Sequence, residues 1–337
     1  MHNTLYIINL IQQKGISVII PNYNGRLFLP EILPPLYEAL GNVQLPYEII
    51  IVDDCSTDGT VLFLQENFPS IVLLQNQINK GFSPTINKGI FTAKYDFLLL
   101  LNSDVKLTKD YFTNLLPYFD DDDTFGVMGR IVGWDDDNIQ DGGKYPSFHA
   151  AKMKTSGNYI PLQSKAEDRL YSMYLSGANA FVSRKKMIML GGFDELFSPF
   201  YIEDVELSLR AWRLGWKCYY KHNSICRHKT STSIKSKSSK NFVKKIYYRN
   251  KMFLHALHLY KTKLIIWYLQ LLFEVILHLF TGRWWFFSSL KMFFTSRAEI
   301  KKSKNNFMAL HKNGLFSVDE VVNKILLSLK NASIKRF

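Results

Sequence analysis

Five apolar residues in a row, Phe97 to Leu101, end directly on Asn102, Ser103 and Asp104, and this junction constrains the fold more than any other feature. An uninterrupted apolar run of this length is typical of a strand buried on both faces, as in the interior of a parallel sheet. Open α/β sheets bind ligands at the carboxyl ends of their strands, so Asp104 stands where a functional carboxylate would stand. The alternative is that Asp104 only caps a turn or a helix, positions that Asp also favours.

The alternation of strands and helices predicts the fold class. Apolar runs predict strands at 16–21, 47–52, 71–74 and 96–101, separated by helical patterns at 30–41, 60–68 and 83–95. This spacing is typical of βαβ units and therefore predicts an α/β protein with a mostly parallel sheet flanked by helices. Beyond it we predict a helix at 110–119, strands at 125–131 and 175–183, a poorly periodic region at 133–170, helices at 184–190 and 203–214, and short extended pieces at 218–220 and 224–226.

Charge is distributed very unevenly along the chain. Residues 1–216 carry 18 Lys+Arg and 25 Asp+Glu, a net charge of −7, whereas residues 217–337 carry 24 and 4, a net charge of +20. An acidic region followed by a basic one suggests that the basic region faces an anionic partner. Three scattered cysteines and an N-terminus without a basic, apolar leader favour the reducing cytoplasm.

Seven short motifs occur in an order that resembles the family 2 inverting glycosyltransferases of GT-A fold, in particular bacterial polysaccharide and rhamnosyltransferase-like members. The motifs are SVIIPNYN at 17–24, VDDCSTDGT at 52–60, NKG at 79–81 and again at 87–89, NSD at 102–104, GGFD at 191–194 and ED at 203–204. Each motif is weak alone, but their joint order across about 16–230 is specific. The resemblance implies a nucleotide-diphosphate sugar donor, a divalent metal (Mn²⁺ or Mg²⁺) and a single displacement that inverts the anomeric carbon.

The resemblance assigns Asp53 to the nucleotide base, with Pro21 and Tyr23 lining the same pocket. A uracil or thymine ring presents an N3–H donor between two carbonyls, for which a carboxylate at a strand end is a suitable acceptor. The alternative is that Asp53 only caps the following turn. The remaining residues expected at the nucleotide-sugar site are Asp54, Asn79, Gly81, Asn87, Asn102 and Ser103.

Asp104 matches the metal-binding acid of the family's Asp-x-Asp motif, and His228 matches a His that completes the metal site in several related transferases. A hard divalent ion would neutralise the diphosphate leaving group. Asn102 departs from the family pattern, because the family has Asp there. It keeps an oxygen acceptor but removes one negative charge, which weakens metal binding, and it leaves three roles open: a ribose contact, a water-bridged metal contact, or neither.

An inverting transfer needs a base that takes the proton from the attacking acceptor hydroxyl. By the resemblance, Asp204 is that base, on the first turn of a helix, and Glu203 and Glu206 flank it. Glu206, two residues further along, is the competing candidate. The alternative is that all three acids only complement the helix dipole.

The C-terminal region is basic, aromatic and helical in pattern. We predict an N-terminal extension at 1–15, the catalytic domain at 16–230, a flexible Ser/Lys-rich loop at 231–240 and a helical membrane-associating region at 241–337. The apolar run 264–280 is short for a membrane span and is interrupted by Gln270, Glu274 and His278. Helices lying in the plane of the anionic inner face of the cell membrane are therefore favoured over a true span or over packing on the catalytic domain or a partner subunit.

Together these features predict an enzyme that transfers a sugar to a glycan or lipid-linked acceptor in cell-surface polysaccharide synthesis. Nucleic acid is not an expected partner, because no binding motif accompanies the basic charge. The alternative is a non-catalytic nucleotide-sugar-binding or scaffold subunit, a hypothesis prompted by Asn102. The oligomeric state, the donor sugar and the acceptor do not follow from the sequence.

Overall fold

The computed structural model describes residues 13–163, 169–229, 239–310 and 314–337. The extension 1–15 therefore lies mostly outside the described residues, as does the predicted loop 231–240.

Ten strands form one twisted sheet, with the order β12–β14–β6–β13–β4–β1–β2–β3 along its main path. Strands β1, β2, β3 and β4 run parallel to one another, β6 runs parallel to β14, and β13 runs antiparallel to both of its neighbours. The strands are β1 (Ile16–Asn22), β2 (Tyr47–Asp53), β3 (Val72–Gln75), β4 (Phe97–Leu101), β5 (Val105–Leu107), β6 (Thr124–Gly133), β7 (Ile139–Asp141), β8 (Gly143–Lys144), β9 (Ser147–His149), β10 (Lys152–Lys154), β11 (Asn158–Pro161), β12 (Leu170–Tyr171), β13 (Asn179–Ser183), β14 (Lys217–His228) and β15 (Ile334–Arg336).

The helices cover both faces of this sheet and then form a C-terminal group. They are α1 (Leu29–Gly41), α2 (Thr60–Asn67), α3 (Phe82–Thr92), α4 (Arg184–Met189), α5 (Glu203–Arg213), α6 (Lys240–His258), α7 (Lys261–Phe280), α8 (Trp284–Thr295), α9 (Arg297–Ala309) and α10 (Val318–Leu329). By length and composition, α7 could cross a membrane, which on its own is weak evidence for a span.

Strand β4 is central and buried on both faces, as its apolar run predicts. Leu98 and Leu100 contribute to the core on one face of the sheet, and Leu99 and Leu101 contribute to the core on the other. Successive side chains of a strand point to opposite faces, so a strand covered on both sides needs an unbroken apolar run. The predicted α/β architecture with a mostly parallel sheet is confirmed.

Three of the secondary-structure predictions differ from the structure. Residues 110–119 form turns followed by a 3₁₀ turn (Leu116–Asp120) instead of an α-helix, because Pro117 cannot donate the helical hydrogen bond. The predicted strand at 175–183 begins only at Asn179, since a turn bonds Asn179 N–H to the Ser176 carbonyl (3.2 Å). The two short pieces predicted near 218–226 are one bulged strand, β14.

The C-terminal helices are packed against the α/β domain. Helix α6 contacts both α8 and α9, and α10 contacts α5. The final strand β15 pairs antiparallel with β11, so the end of the chain returns to a small sheet built on the earlier domain. Residues 241–337 therefore share a continuous core with the α/β domain.

Candidate active site

A cavity of about 820 Å³ opens at the carboxyl ends of β1, β2 and β4, where a parallel sheet is expected to bind its ligand. Most of the predicted site residues line it. They are Pro21, Tyr23, Asp54, Asn79, Gly81, Asn102, Ser103, Asp104 and His228, and Asn22, Gln140 and Tyr201 join them.

The two adjacent acids at the end of β2 stabilise the wall of this cavity. Asp53 is 1% exposed, and it accepts hydrogen bonds from Asn22 Nδ2 (3.0 Å) and Ser56 N–H (2.9 Å). Asp54 accepts from the backbone N–H groups of Lys80 and Gly81, both at 2.9 Å. Both carboxylates therefore stabilise turns, and Asp54 is the one that reaches the cavity lining.

Asp104 and His228 come together at one end of the cavity, with 3.6 Å between Asp104 Oδ1 and His228 Nε2. Gln140 Nε2 donates to the His228 carbonyl (3.2 Å), and Gln140 Oε1 lies 3.1 Å from His228 Nδ1. An amide oxygen can only accept, so this contact puts the ring proton on Nδ1 and leaves the Nε2 lone pair facing a carboxylate oxygen. The two facing acceptors repel unless a proton or a metal ion lies between them.

A divalent ion fits the chemistry of this pair. Asp104 Oδ1 is buried and has no hydrogen-bond partner among the described residues. Ligand distances of about 2.0–2.2 Å allow one ion to bind both atoms at their observed separation. The described residues contain no group of three or more His, Cys, Asp or Glu side chains that could hold a metal, so further ligands would be oxygens of other groups, of a bound ligand or of water.

Asn22 supplies a second unsatisfied acceptor in the same cavity. Its amide nitrogen is used by Asp53 and by Ser56 Oγ (3.2 Å), while its Oδ1 is buried without a partner among the described residues. A buried acceptor without a hydrogen-bond partner costs free energy, so Asn22 Oδ1 is expected to contact a hydrogen-bond donor of a bound ligand. The cavity thus has one unsatisfied acceptor on β1 and another beyond the end of β4.

Asp204, on the first turn of α5, is not among the residues that line the cavity, but it lies next to the cavity through Gly177, which stands between the lining residues Ser176 and Ala178. Its carboxylate accepts from Val205 N–H (2.8 Å) and more weakly from Gly177 N–H (3.4 Å), within the turn that shortens β13. Burial raises the pKa of Asp204, and the hydrogen bond from Val205 and the charge of Lys144 only partly offset it. Burial and the neighbouring Asp204 charge raise the pKa of Glu203 further, and Glu203 Oε2 has no partner among the described residues.

Glu206 is locked into a buried ion pair on the other side of α5. Its carboxylate accepts from Arg210 Nε, with both oxygens at 2.9 Å, and contacts His258 Nε2 at 3.2 Å. Burial alone would raise the pKa of Glu206, but Arg210 and His258 outweigh it and lower the pKa. Glu206 lines a separate cavity of about 410 Å³, so the structure does not bring it to the site as a competing base.

Asn87 is also placed elsewhere. Its side chain accepts from Phe193 N–H (2.8 Å) and donates to the Phe193 carbonyl (2.9 Å) and Glu195 Oε1 (3.3 Å). It therefore connects α3 to the GGFD turn and faces the smaller cavity with Glu206.

The loop 197–202, which leads into α5, is held by a residue that sequence patterns did not single out. Asn250 of α6 is fully buried, and its amide donates to the carbonyls of Phe197 (2.6 Å), Phe200 (3.0 Å) and Tyr201 (2.8 Å). Tyr201 and Ile202 have φ values of 73° and 75°, a strained region for residues other than glycine. An Asn inside a helical pattern carries no signal of such a contact.

The same loop packs against the side of the cavity that Gly81 and Phe82 line. Pro199 accepts a hydrogen bond at its carbonyl from Phe82 N–H (2.9 Å). A Cβ atom added at Gly81 would lie 2.8 Å from Pro199 Cα, and Gly81 has a φ of +82°. Only glycine fits this position, which explains one Gly of the predicted motifs.

The family model described as "Glycosyl transferase family 2" matches residues 17–187. The fold and the ordered motifs agree with this match, and the chain belongs to glycosyltransferase family 2. It is a glycosyltransferase with a GT-A fold.

Two curated relatives and one solved structure illustrate the similarity. An uncharacterized glycosyltransferase of Haemophilus influenzae is 35% identical over 89 residues, which are 26% of this chain and 29% of the relative. The N-acetylglucosaminyl-diphospho-decaprenol L-rhamnosyltransferase of Mycobacterium tuberculosis is 24% identical over 232 residues, 59% of this chain and 74% of that protein. The crystal structure of GalNAc-T7 with UDP, GalNAc and Mn²⁺ superposes with a TM-score of 0.61 at 15% identity, covering 95% of this chain and 58% of that one.

Proposed function

We propose that the protein is an inverting glycosyltransferase that moves a sugar from a nucleoside-diphosphate donor to a glycan or lipid-linked acceptor in cell-surface polysaccharide synthesis. The observation that carries the proposal is one cavity with two unsatisfied buried acceptors, Asn22 Oδ1 and Asp104 Oδ1, beside the half-buried carboxylate of Asp204. The name of the mycobacterial relative supports a lipid-linked acceptor.

In this proposal Asp104 and His228 hold a divalent cation, Mn²⁺ or Mg²⁺, which neutralises charge on the diphosphate leaving group when it is bound. The Mn²⁺ in the GalNAc-T7 structure supports this assignment. Gln140, which contacts the His228 carbonyl and Nδ1, orients the His228 ring. Asn102 lines the cavity next to this pair, so its side chain could contact the ribose or bind the cation through a water molecule.

Asp204 is the proposed catalytic base. It accepts the proton of the acceptor hydroxyl while the acceptor oxygen bonds to the anomeric carbon and the bond from that carbon to the phosphate oxygen breaks. The nucleoside diphosphate leaves with the electron pair, and attack from the opposite side inverts the anomeric centre. The raised pKa of Asp204 makes it a stronger base than an exposed aspartate.

Residues 241–337 are proposed to associate with the anionic inner face of the cell membrane, which places the enzyme in the cytoplasm. The net charge of +20 in residues 217–337 supports this placement. The domain boundaries predicted from the sequence, with catalysis within 16–230, stay part of the proposal.

The second candidate function is a non-catalytic nucleotide-sugar-binding or scaffold subunit. The observation that favours it is Asn102 in place of the family's acid, together with the Asp104–His228 pair, to which the part of the chain that the structure describes adds no third His, Cys, Asp or Glu. Turnover separates the two candidates: donor consumption that Asp204→Asn abolishes supports the enzyme, and donor binding without turnover supports the scaffold.

Thermal unfolding with UDP-, dTDP- and GDP-sugars, each with Mn²⁺ or Mg²⁺, tests the donor site directly. We expect one nucleotide class to raise the melting temperature, and Asp104→Asn to lose the metal-dependent part of the shift. Asp110→Asn, on the exposed surface, is the matched control and should keep it. If no nucleotide sugar stabilises the protein, the donor site is wrongly assigned.

A further inference from the structure

Helix α7 (Lys261–Phe280) has its polar residues turned towards the protein. Gln270 accepts from Ala151 N–H (3.0 Å) and donates to the His149 carbonyl (3.2 Å). Glu274 forms an ion pair with Lys152, and His278 is 7% exposed against Phe286. The residues that interrupt the apolar run in the sequence are therefore contacts to the β9–β10 hairpin and to α8.

The opposite face of α7 is apolar and open. Ten large side chains on it are each at least 40% exposed: Ile265, Ile266, Tyr268, Leu269, Leu272, Phe273, Ile276, Leu277, Leu279 and Phe280. At about 1.5 Å per residue they extend over roughly 22 Å, and Trp284, 67% exposed, continues the surface onto α8. Soluble monomers rarely expose an apolar patch of more than a few hundred Å², so this face needs a partner.

The surroundings of the face indicate which partner. Exposed cations flank it, Lys261 at the start of α7 and Arg283 and Lys291 after its end. Residues 217–337 contain four acids, of which Glu274 is paired with Lys152 and Asp319 with Lys263. A second copy would bring two such basic borders together, whereas an anionic bilayer surface attracts them.

The buried side of α7 decides how the helix meets a bilayer. A spanning helix is surrounded by lipid or by other membrane segments, but Gln270 and Glu274 bond to a hairpin of the α/β domain. The open face is also shorter than the roughly 30 Å hydrocarbon core. We propose that the face defined by these ten residues of α7, extended by Trp284, lies in the plane of an anionic membrane surface and inserts its side chains at the boundary of headgroups and acyl chains.

This surface is linked to the active site through α6. The Trp285 ring of α8 packs against the Tyr248 ring, with 4.7 Å between centroids and planes tilted by 55°. The adjacent Tyr247 packs edge-on against Tyr201 of the cavity wall, with 6.0 Å between centroids. With α7 on a membrane surface, these ring contacts would hold the Tyr201 side of the cavity close to the lipid. The bilayer contact deepens the membrane association proposed above and names the face of α7 that makes it. The delivery of a lipid-linked acceptor rests in addition on the proposed sugar transfer.

Flotation of the full-length protein with vesicles tests the contact. Vesicles of phosphatidylcholine alone are compared with vesicles that also contain phosphatidylglycerol. The double variant Leu269→Glu/Phe273→Glu alters the open face, and Leu62→Glu/Leu327→Glu is a control with the same charge change at side chains 64% and 69% exposed elsewhere. We expect wild type and control to float with the anionic vesicles and to be released from them by alkaline carbonate. The α7 variant should bind these vesicles at least about tenfold more weakly.

Three results would overturn the proposal. They are equal flotation of the α7 variant and the control, resistance of the bound protein to carbonate, and a wild-type dimer in the absence of lipid that is lost in the α7 variant while no protein binds vesicles.

The donor-induced shift in melting temperature is measured on the same samples. The α7 variant should keep it, which shows that the variant is folded. A wild type that floats but shows no donor shift contradicts the proposed function and leaves the membrane contact standing.

Discussion

The contacts of Asn250 of α6 with the loop 197–202 before Asp204, called the Asn250 clamp, allow the loss of stability on their removal to be estimated. Asn250 donates its side-chain amide to three backbone carbonyls of residues 197–201 at 2.6–3.0 Å, and it is fully buried. The loop it holds contains Tyr201 and Ile202 at positive φ, a conformation that persists only where surrounding contacts impose it.

The substitution Asn250→Ala removes both amide N–H donors from the buried carbonyl of Phe197 and from the part-buried carbonyls of Phe200 and Tyr201. The two part-buried bonds cost about 0.5 kcal/mol each, and the buried acceptor left unsatisfied costs roughly 1–3 kcal/mol. We therefore expect the free energy of unfolding to fall by about 2–4 kcal/mol. Because the loop packs on Gly81 and leads into Asp204, turnover should fall by more than about tenfold even where the protein is folded.

Denaturant unfolding and release of the nucleoside diphosphate are the two measurements. Asn67→Ala is the matched control, because the Asn67 amide donates to a single carbonyl, that of Phe63, on an exposed helix. A purely structural role for Asn250 would lower stability while leaving kcat per folded molecule unchanged. If Asn250→Ala matches the Asn67→Ala control in both stability and turnover, the Asn250 clamp does not position the loop 197–202.

Three further predictions concern charged and polar groups at the site. Burial and the charge of Asp204 raise the folded-state pKa of Glu203 above its ordinary 4.5. The contribution of Glu203 to stability is therefore present at low pH and is lost as the pH rises through that raised pKa. Glu203→Gln should be more stable than wild type at pH 8, with an advantage that shrinks towards pH 4.5, and equal stability of the two proteins across this range would contradict the burial argument. Gln140→Ala frees the His228 ring and should weaken Mn²⁺ binding by about 10–100-fold, measured by metal titration of the apoprotein, with unchanged affinity as the contrary result. Asp204→Asn should abolish transfer and keep the donor-induced shift in melting temperature, whereas residual turnover within about tenfold of wild type would point to another base.

Much of the catalytic half of the molecule could be predicted from the sequence. The run Phe97–Leu101 predicted a strand covered on both faces, and the polar residues after it, Asn102 to Asp104, line the cavity. Local patterns work here because a parallel sheet brings the carboxyl ends of its strands to one edge, so sequence order already implies proximity.

Local pattern could not separate residues of one chemical type. Glu203, Asp204 and Glu206 share the first turn of α5, but helical geometry sends Glu206 to Arg210 and His258, away from the cavity. Asn87 repeats the Asn-Lys-Gly pattern of Asn79, and only the latter lines the site. Which side of a helix faces a ligand depends on what packs against the other side.

The sequence by itself determined the fold class, the family and the end of the sheet at which the site lies, because strand periodicity and strand ends are local properties of the chain. Only the tertiary structure decided the partners of Asn250 and the orientation of α7. Gln270, Glu274 and His278 looked like interruptions of an apolar helix, and they are instead its contacts to the protein. Contacts over more than a hundred positions, such as Gln270 with Ala151, leave no periodic signal, and they place the apolar residues of α7 on the outside.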